Sequence, residues 1–140
     1  MAQDFAPNSK NEEFLHILVY SDNRLIREDV MRAVGKQAAA NLPEIRFTEA
    51  ATWEGAELKV QEQKFDLLIL DAETPKLGGI GLGMKIRDEI DPNVPYIVLI
   101  ARPQDDWLAR VAKPKAILSY PIDARALSSA VAKVLAAKQQ

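Results

Sequence analysis

The chain has 140 residues, a formal net charge of −2, one His and no Cys. Its length suits one domain, because domains most often contain roughly 100–150 residues. The composition excludes disulfides, thiol chemistry, Cys-based zinc sites and His-rich metal sites, and the scattered Lys and Arg residues predict no nucleic-acid partner.

The chain begins with a polar, acidic segment, which we expect to form a flexible N-terminal arm at residues 1–13. This segment lacks the basic start and apolar stretch of a secretory signal. No apolar run in the chain approaches the roughly 18–20 residues that span a bilayer. These features predict a cytoplasmic protein without membrane contact, folded as one domain over residues 14–138.

Short apolar runs alternate with amphipathic segments along this domain, and the alternation predicts an α/β fold. The runs that predict strands are Leu15–Tyr20, Ile45–Ala50, Leu67–Leu70, Tyr96–Ile100 and Ala116–Leu118. Four of them are nearly continuous, as in strands buried on both faces. Ile45–Ala50 mixes charged and apolar residues, which is typical of an edge strand with one wet face.

An amphipathic segment follows each run and predicts a helix. The apolar stripes of the first three helices are Leu25, Ile26, Val30, Ala33 and Val34; Trp53, Ala56 and Val60; and Leu82, Ile86 and Ile90. A short fourth helix starts near Asp105-Asp106, and the stripe of the fifth helix is Leu127, Val131, Val134 and Leu135. Gly35 is typical of a helix end, and Thr52 and Asp123 of N-caps. Five strand–helix units with right-handed crossovers predict a doubly wound parallel sheet in the strand order 2-1-3-4-5.

In such a sheet the functional site lies outside the carboxyl ends of the strands. Asp22 follows the first strand and Asp71 the third, so we expect two carboxylates at neighbouring strand ends. Asp is also common in turns, but the joint placement of the two favours a site. Like charges this close need a cation or a proton between them, and an open pair of carboxylates suits Mg²⁺.

Four segments, in order and suitably spaced, carry a family resemblance: ILVYSDN at 17–23, DLLILDAETPKLGGIGL at 66–82, PYIVLIAR at 95–102 and SYPID at 119–123. Together they resemble response-regulator receiver domains of the CheY-like superfamily. Asp71, Pro75 and Gly79 match the receiver's acceptor Asp, the Pro four residues later and the Gly that opens the next helix. The resemblance covers about residues 14–138 and implies a flavodoxin-like (βα)5 fold.

The same resemblance implies roles for particular residues. Asp71 would accept a phosphoryl group from a sensor histidine kinase, and Asp22 and Asp71 would bind Mg²⁺ together with the backbone carbonyl of Glu73. Pro121 would follow a cis peptide bond, a form that only X–Pro bonds adopt at low cost.

Several positions depart from the receiver pattern. Ser21 replaces the first member of an acidic pair, Ile100 a hydroxyl residue that bonds the phosphoryl group, Tyr120 a Lys that pairs with it, and Ile117 the switch aromatic. Each lost bond is worth roughly 1–3 kcal/mol. Driving a two-state equilibrium from mostly off to mostly on takes about 5.5 kcal/mol. The sequence therefore predicts weak or absent phospho-switching and at most weak Mg²⁺ binding.

The leading hypothesis is an atypical, stand-alone response regulator that acts by binding another protein or a second copy of itself. The expected surface is the fourth helix, fifth strand and fifth helix, with Trp107 and Arg110 as anchors, because aromatic and Arg residues are favoured at interfaces. The alternative is a conventional receiver that a sensor histidine kinase phosphorylates on Asp71. An enzyme is not expected, because no nucleophile–base pair is recognisable.

Overall fold

The computed structural model describes residues 14–138, so the arm predicted at 1–13 lies outside the described residues. Strands and helices alternate along the described chain: β1 Phe14–Tyr20, α1 Arg24–Val34, β2 Glu44–Ala50, α2 Trp53–Glu62, β3 Leu67–Asp71, α3 Gly79–Glu89, β4 Tyr96–Ile100, α4 Asp106–Val111, β5 Ala116–Ser119 and α5 Ala124–Lys138. A short 3-10 turn, Pro103–Asp105, leads into α4. No helix in this part of the chain is long and apolar enough to cross a membrane.

The five strands form one parallel sheet in the order β2-β1-β3-β4-β5, which confirms the predicted topology. In the register of the sheet, Tyr20 pairs with Leu70, and Ile100 pairs with Ser119. Because every strand is parallel, all the carboxyl ends lie at one end of the sheet. Asp71, the last residue of β3, lies at that end, and the turn that carries Asp22 begins there.

Helices cover both faces of the sheet, and successive residues of each strand point to opposite faces. One apolar cluster joins α2, α3 and α4 to the sheet through side chains such as Leu70, Leu82 and Ile100. The other joins α1 and α5 to the sheet through side chains such as Ile69 and Val131. All positions of β3 and β4 are buried, as predicted for strands covered on both faces.

Three details differ from the sequence-based expectation. The β5 strand is only half-buried throughout, because it has a neighbouring strand on one side only. Leu25 is 61% exposed, so it does not belong to the buried stripe of α1. Ile90 follows the end of α3 rather than lying inside it; this helix ends three residues before Pro92, which disfavours helical geometry at the residue preceding it.

The helix ends and the edge strand agree with prediction. β2 is an edge strand whose exposed and buried residues are mixed. Thr52 caps α2 by accepting a hydrogen bond from the Gly55 N–H at 3.0 Å. Asp123 accepts from two N–H groups in the first turn of α5. Gly35 ends α1 with a φ of 75°, a conformation that residues with a Cβ rarely adopt.

Candidate functional site

Asp71 is held in a fixed orientation at the carboxyl end of β3. Its side chain is only 2% exposed. One carboxylate oxygen, Oδ2, accepts a hydrogen bond from the Ser21 hydroxyl at 2.7 Å, and the other, Oδ1, accepts from the Glu73 N–H at 2.9 Å. Such bonds offset the cost of burying a carboxylate away from water.

Ser21 does more than replace a carboxylate, which is all that the sequence suggested for it. The residue is fully buried, and its N–H donates to the Ala50 carbonyl at 3.1 Å. Its carbonyl accepts from Arg27 Nη1 at 2.7 Å, and Arg27 Nε donates to Glu49 Oε1 at 2.8 Å. Ser21 therefore connects Asp71 with α1 and β2.

Tyr20 borders the site, although the sequence marked it only as a strand residue. Its side chain is buried at the end of β1, and its hydroxyl donates to the Leu77 carbonyl at 2.6 Å. Burial first, and then the negative charges of Asp22, Glu54 and Asp71, raise the pKa of Tyr20 to about 12. A phenol at the last position of an apolar strand was the one signal for this role.

The residues assigned to Mg²⁺ provide two carboxylates and one carbonyl. Asp22 is exposed in the turn after β1, whereas Asp71 is buried at the end of β3. Among residues 14–138, no group of three or more Asp, Glu, His or Cys side chains is placed to hold a metal ion. Asp22, Asp71 and the Glu73 carbonyl still suit Mg²⁺, because this ion takes its remaining ligands from water.

The β4 and β5 side of the site is apolar. Ile100, the last residue of β4, is 1% exposed, and its side chain belongs to the core cluster on the α2, α3 and α4 face. Ile117 of β5 packs against the same cluster. These side chains cannot donate a hydrogen bond, so neither position supplies the hydroxyl or the aromatic ring that the receiver pattern has there.

Tyr120 turns inward at the end of β5, and its ring packs against the apolar cluster on the α1 and α5 face. Its hydroxyl is buried without a hydrogen-bond partner of normal geometry among the described residues. Burial first, then the charge and proximity of Asp71, and after them Glu73 and Asp22, raise the pKa of Tyr120. The peptide bond between Tyr120 and Pro121 is cis, as predicted.

The Glu73 side chain contacts the β4 end, a contact that the sequence did not reveal. Glu73 is exposed, and its Oε2 accepts a hydrogen bond from the Ala101 N–H at 3.2 Å. Its N–H donates to Asp71 at the same time. Glu73 therefore spans the mouth of the site from β3 to the residue that follows β4.

Trp107 and Arg110 lie on α4, the helix that follows β4 in the chain. Trp107 is 69% exposed, and its neighbours Leu108 and Val111 are 45% and 58% exposed. Arg110 is exposed and forms an ion pair with Asp106 on the same helix. The prediction that large side chains of this helix face solvent is therefore confirmed. A role of Trp107 and Arg110 in binding remains a proposal.

The parallel sheet order and a buried Asp at the end of the third strand define the class as a flavodoxin-like receiver. Over 123 residues the chain is 39% identical to proteins named uncharacterized response regulatory proteins in two strains of Mycobacterium tuberculosis, CDC 1551 and H37Rv. Each alignment covers 88% of this chain and 92% of the relative. The chain therefore belongs to the response-regulator receiver family of two-component signal transduction.

Solved structures support the same fold. The receiver domain of Francisella response regulator 1452 has a TM-score of 0.75 at 20% identity, covering 89% of this chain and 98% of that one. A CheY-like receiver domain protein from Methanospirillum hungatei has a TM-score of 0.73 at 19% identity, covering 90% and 97%. No protein-family model matches the chain.

Proposed function

We propose that this protein is an atypical single-domain response regulator that binds a protein partner in the cytoplasm, with weak or absent phospho-switching. The proposal depends chiefly on the β4 and β5 ends, where Ile100 and Tyr120 provide neither a cation nor an aliphatic hydroxyl beside Asp71. In this proposal the protein acts by binding a partner rather than by catalysis.

A phosphoryl group on Asp71 would bring roughly two negative charges into a site already bordered by Asp22 and Glu73. Mg²⁺ held by Asp22, Asp71 and the Glu73 carbonyl would offset part of that charge. The other phosphoryl oxygens would face the Tyr120 hydroxyl, which can donate one neutral hydrogen bond, and Ile100, which can donate none. A ligand that binds two conformational states with nearly equal affinity does not shift the equilibrium between them.

Beryllofluoride, a phosphoryl mimic that adds to the acceptor carboxylate, tests this proposal when it is supplied with Mg²⁺ to isotope-labelled protein. We expect backbone amide changes confined to the neighbourhood of residues 22 and 71. Saturable changes that spread beyond Tyr120, which borders the site, through residues 104–125 and disappear in Asp71→Ala would contradict the proposal. They would favour the alternative, a conventional receiver.

The alternative has one specific observation in its favour, which is the orientation of Asp71. Its carboxylate is held by Ser21 and by the Glu73 N–H, so the predicted acceptor is positioned without the help of Lys. In that alternative a sensor histidine kinase phosphorylates Asp71. Phosphotransfer from a kinase, followed after rapid quenching as a mass increase that Asp71→Asn abolishes, supports this alternative over the leading proposal when long-range amide changes at residues 104–125 accompany it.

Partner binding is assigned in this proposal to the face formed by α4, β5 and α5. The supporting observation is the exposure of Trp107, Leu108 and Val111 on a short helix whose charged residues, Asp106 and Arg110, pair with each other. Large aromatic side chains that lie exposed beside Arg are favoured anchors at interfaces. The partner is another protein or a second copy of this chain.

Trp107→Ala tests this surface, and Leu58→Ala is the matched control, because Leu58 is 53% exposed on α2, far along the sheet from β5. We expect Trp107→Ala to weaken partner capture or self-association while Leu58→Ala leaves both unchanged. Sedimentation velocity and pull-down with the wild type as reference measure both. Equal behaviour of the two variants would contradict the surface assignment.

A further inference from the structure

Glu73 bridges the ends of β3 and β4. Its N–H is bound to Asp71 Oδ1, and its carboxylate accepts from the Ala101 N–H at 3.2 Å. The Glu73 backbone is thus hydrogen-bonded to β3, and its carboxylate is hydrogen-bonded to the residue that follows β4. An anion that comes to Asp71 between these strand ends meets this carboxylate.

The charges around Glu73 agree with this position. Its carboxylate contributes to the raised pKa of the Tyr120 hydroxyl, which is buried beside Asp71. It also contributes to the raised pKa of Arg102, whose guanidinium is bound mainly by Asp105. Glu73 therefore lies between the buried part of the site and the first residues after β4, where Arg102 supplies a nearby positive charge.

We propose that the Glu73 carboxylate is a built-in competitor, which covers Asp71 while it is bound to the Ala101 N–H and must leave before an anion can bind there. Two effects oppose the incoming anion. The hydrogen bond between Glu73 and Ala101 has to break, and any Glu73 carboxylate that stays near repels the anion. The inference rests on the proposed role of Asp71 as the acceptor.

The proposal gives the resting site a negative charge of its own at the β4 end. A backbone N–H that would otherwise attract an anion is already saturated by Glu73, so the site is closed to weakly binding anions. Opening it requires only a rotation of one exposed side chain, because the Glu73 N–H can keep its bond to Asp71. Glu73 is a specificity-determining residue in this view, and no backbone rearrangement is involved.

Titration of beryllofluoride with Mg²⁺ into wild type, Glu73→Ala and Glu73→Gln tests the competition, with residue 71 and Ala101 amide signals as the readout. Glu73→Ala should bind at least about fivefold more tightly, the factor that corresponds to one net hydrogen bond. Glu73→Gln should gain less, because its amide oxygen can still accept from Ala101. Before any anion is added, the Ala101 amide signal should already move in Glu73→Ala.

Glu54→Gln is the matched control, because it removes one exposed carboxylate near the site that makes no bond to Ala101. It should leave the affinity at the wild-type value. Unchanged affinity in Glu73→Ala, an equal gain in Glu54→Gln, or no binding by any variant would each overturn the competitor. Long-range changes at residues 104–125 in the wild type would instead overturn the proposed function, so the two failures are distinguishable.

Discussion

Two halves of the site, side by side on one sheet, have opposite chemistry. The acidic half consists of Ser21, Asp22, Asp71 and Glu73 at the ends of β1 and β3, where the buried groups are hydrogen-bonded. The apolar half consists of Ile100, Ile117 and Tyr120 at β4 and β5, where the buried Tyr120 hydroxyl has no hydrogen-bond partner of normal geometry within residues 14–138. Under the proposed function, the strands that position the acceptor carboxylate differ from the strands that would respond to its modification.

Gly79→Ala should have the largest effect, because it attacks the base of the acidic half. A Cβ at residue 79 would lie 2.8 Å from the backbone carbonyl group of Leu70, which precedes Asp71 and cannot move aside. We expect the free energy of unfolding to fall by about 3 kcal/mol, the upper part of the usual overpacking range. Urea denaturation measures it.

Gly81→Ala is the control for this substitution. Its Cβ would meet only the terminal methyl group Cδ1 of Leu77, which can rotate away. Ala also favours a helix over Gly by about 1 kcal/mol, so this variant should be neutral or more stable. Equal destabilisation by both variants would show that α3 as a whole is sensitive, rather than its contact with β3.

Ser21→Ala comes next and removes the donor to Asp71 Oδ2. The buried carboxylate oxygen would lose its partner, at a cost of about 1–3 kcal/mol in unfolding free energy. Combining it with Asp71→Asn in a double-mutant cycle, measured by urea unfolding, isolates the coupling between the two residues. Strictly additive effects would mean that the bond between Ser21 and Asp71 contributes nothing to stability and does not hold Asp71 in place.

Tyr120→Lys places a cation in the apolar half, among the carboxylates of Asp22, Asp71 and Glu73. A charge-assisted bond to an added anion should tighten beryllofluoride binding by about tenfold. Isothermal titration calorimetry with Mg²⁺ present measures the change. Tyr120→Met, which provides a flexible side chain without the charge, should bind no more tightly than wild type, and an equal gain there would point to steric relief instead.

Tyr120→Phe should have the smallest effect and concerns a single oxygen atom. Because the Tyr120 hydroxyl is buried without a bond of normal geometry, its removal should leave stability unchanged or raise it by up to about 1 kcal/mol. Thermal and urea unfolding both report this difference. A clear loss of stability would mean that the hydroxyl donates to Asp71 in solution, and the two halves would then be less separate.

Much of the fold follows from the alternation of apolar runs and amphipathic stripes. Both caps, Thr52 and Asp123, were predictable because a cap depends on the local sequence. The strand order was predictable because alternating strand–helix units with right-handed crossovers allow few topologies. The exposure of Leu25 was not, because a stripe at helical spacing does not show where its edge lies. The half-burial of β5 follows from its edge position, which the predicted strand order implied, whereas its apolar run favoured a strand buried on both faces.

The site was predictable in position but only partly in its bonds. The carboxyl-end rule places Asp22 and Asp71 at the same end of the sheet as Tyr120. The contacts of Ser21 with Asp71 and of Glu73 with Ala101 depend on side-chain torsions, and residue types do not specify these. The inward orientation of Tyr120 likewise follows from packing of its ring against the α1 and α5 face, which its residue type does not specify.

The contacts of Ser21 form a series of hydrogen bonds that leads from Asp71 to β2, away from α4. From Asp71 the line passes through the Ser21 hydroxyl to its carbonyl, then to Arg27 of α1 and on to Glu49 of β2. We therefore expect a change of charge at Asp71 to affect β2, at the edge of the sheet opposite to β5, before it affects α4. Faster amide exchange along β2 in Asp71→Asn than in wild type, with α4 unaltered, would reveal that direction of force, and the reverse pattern would exclude it.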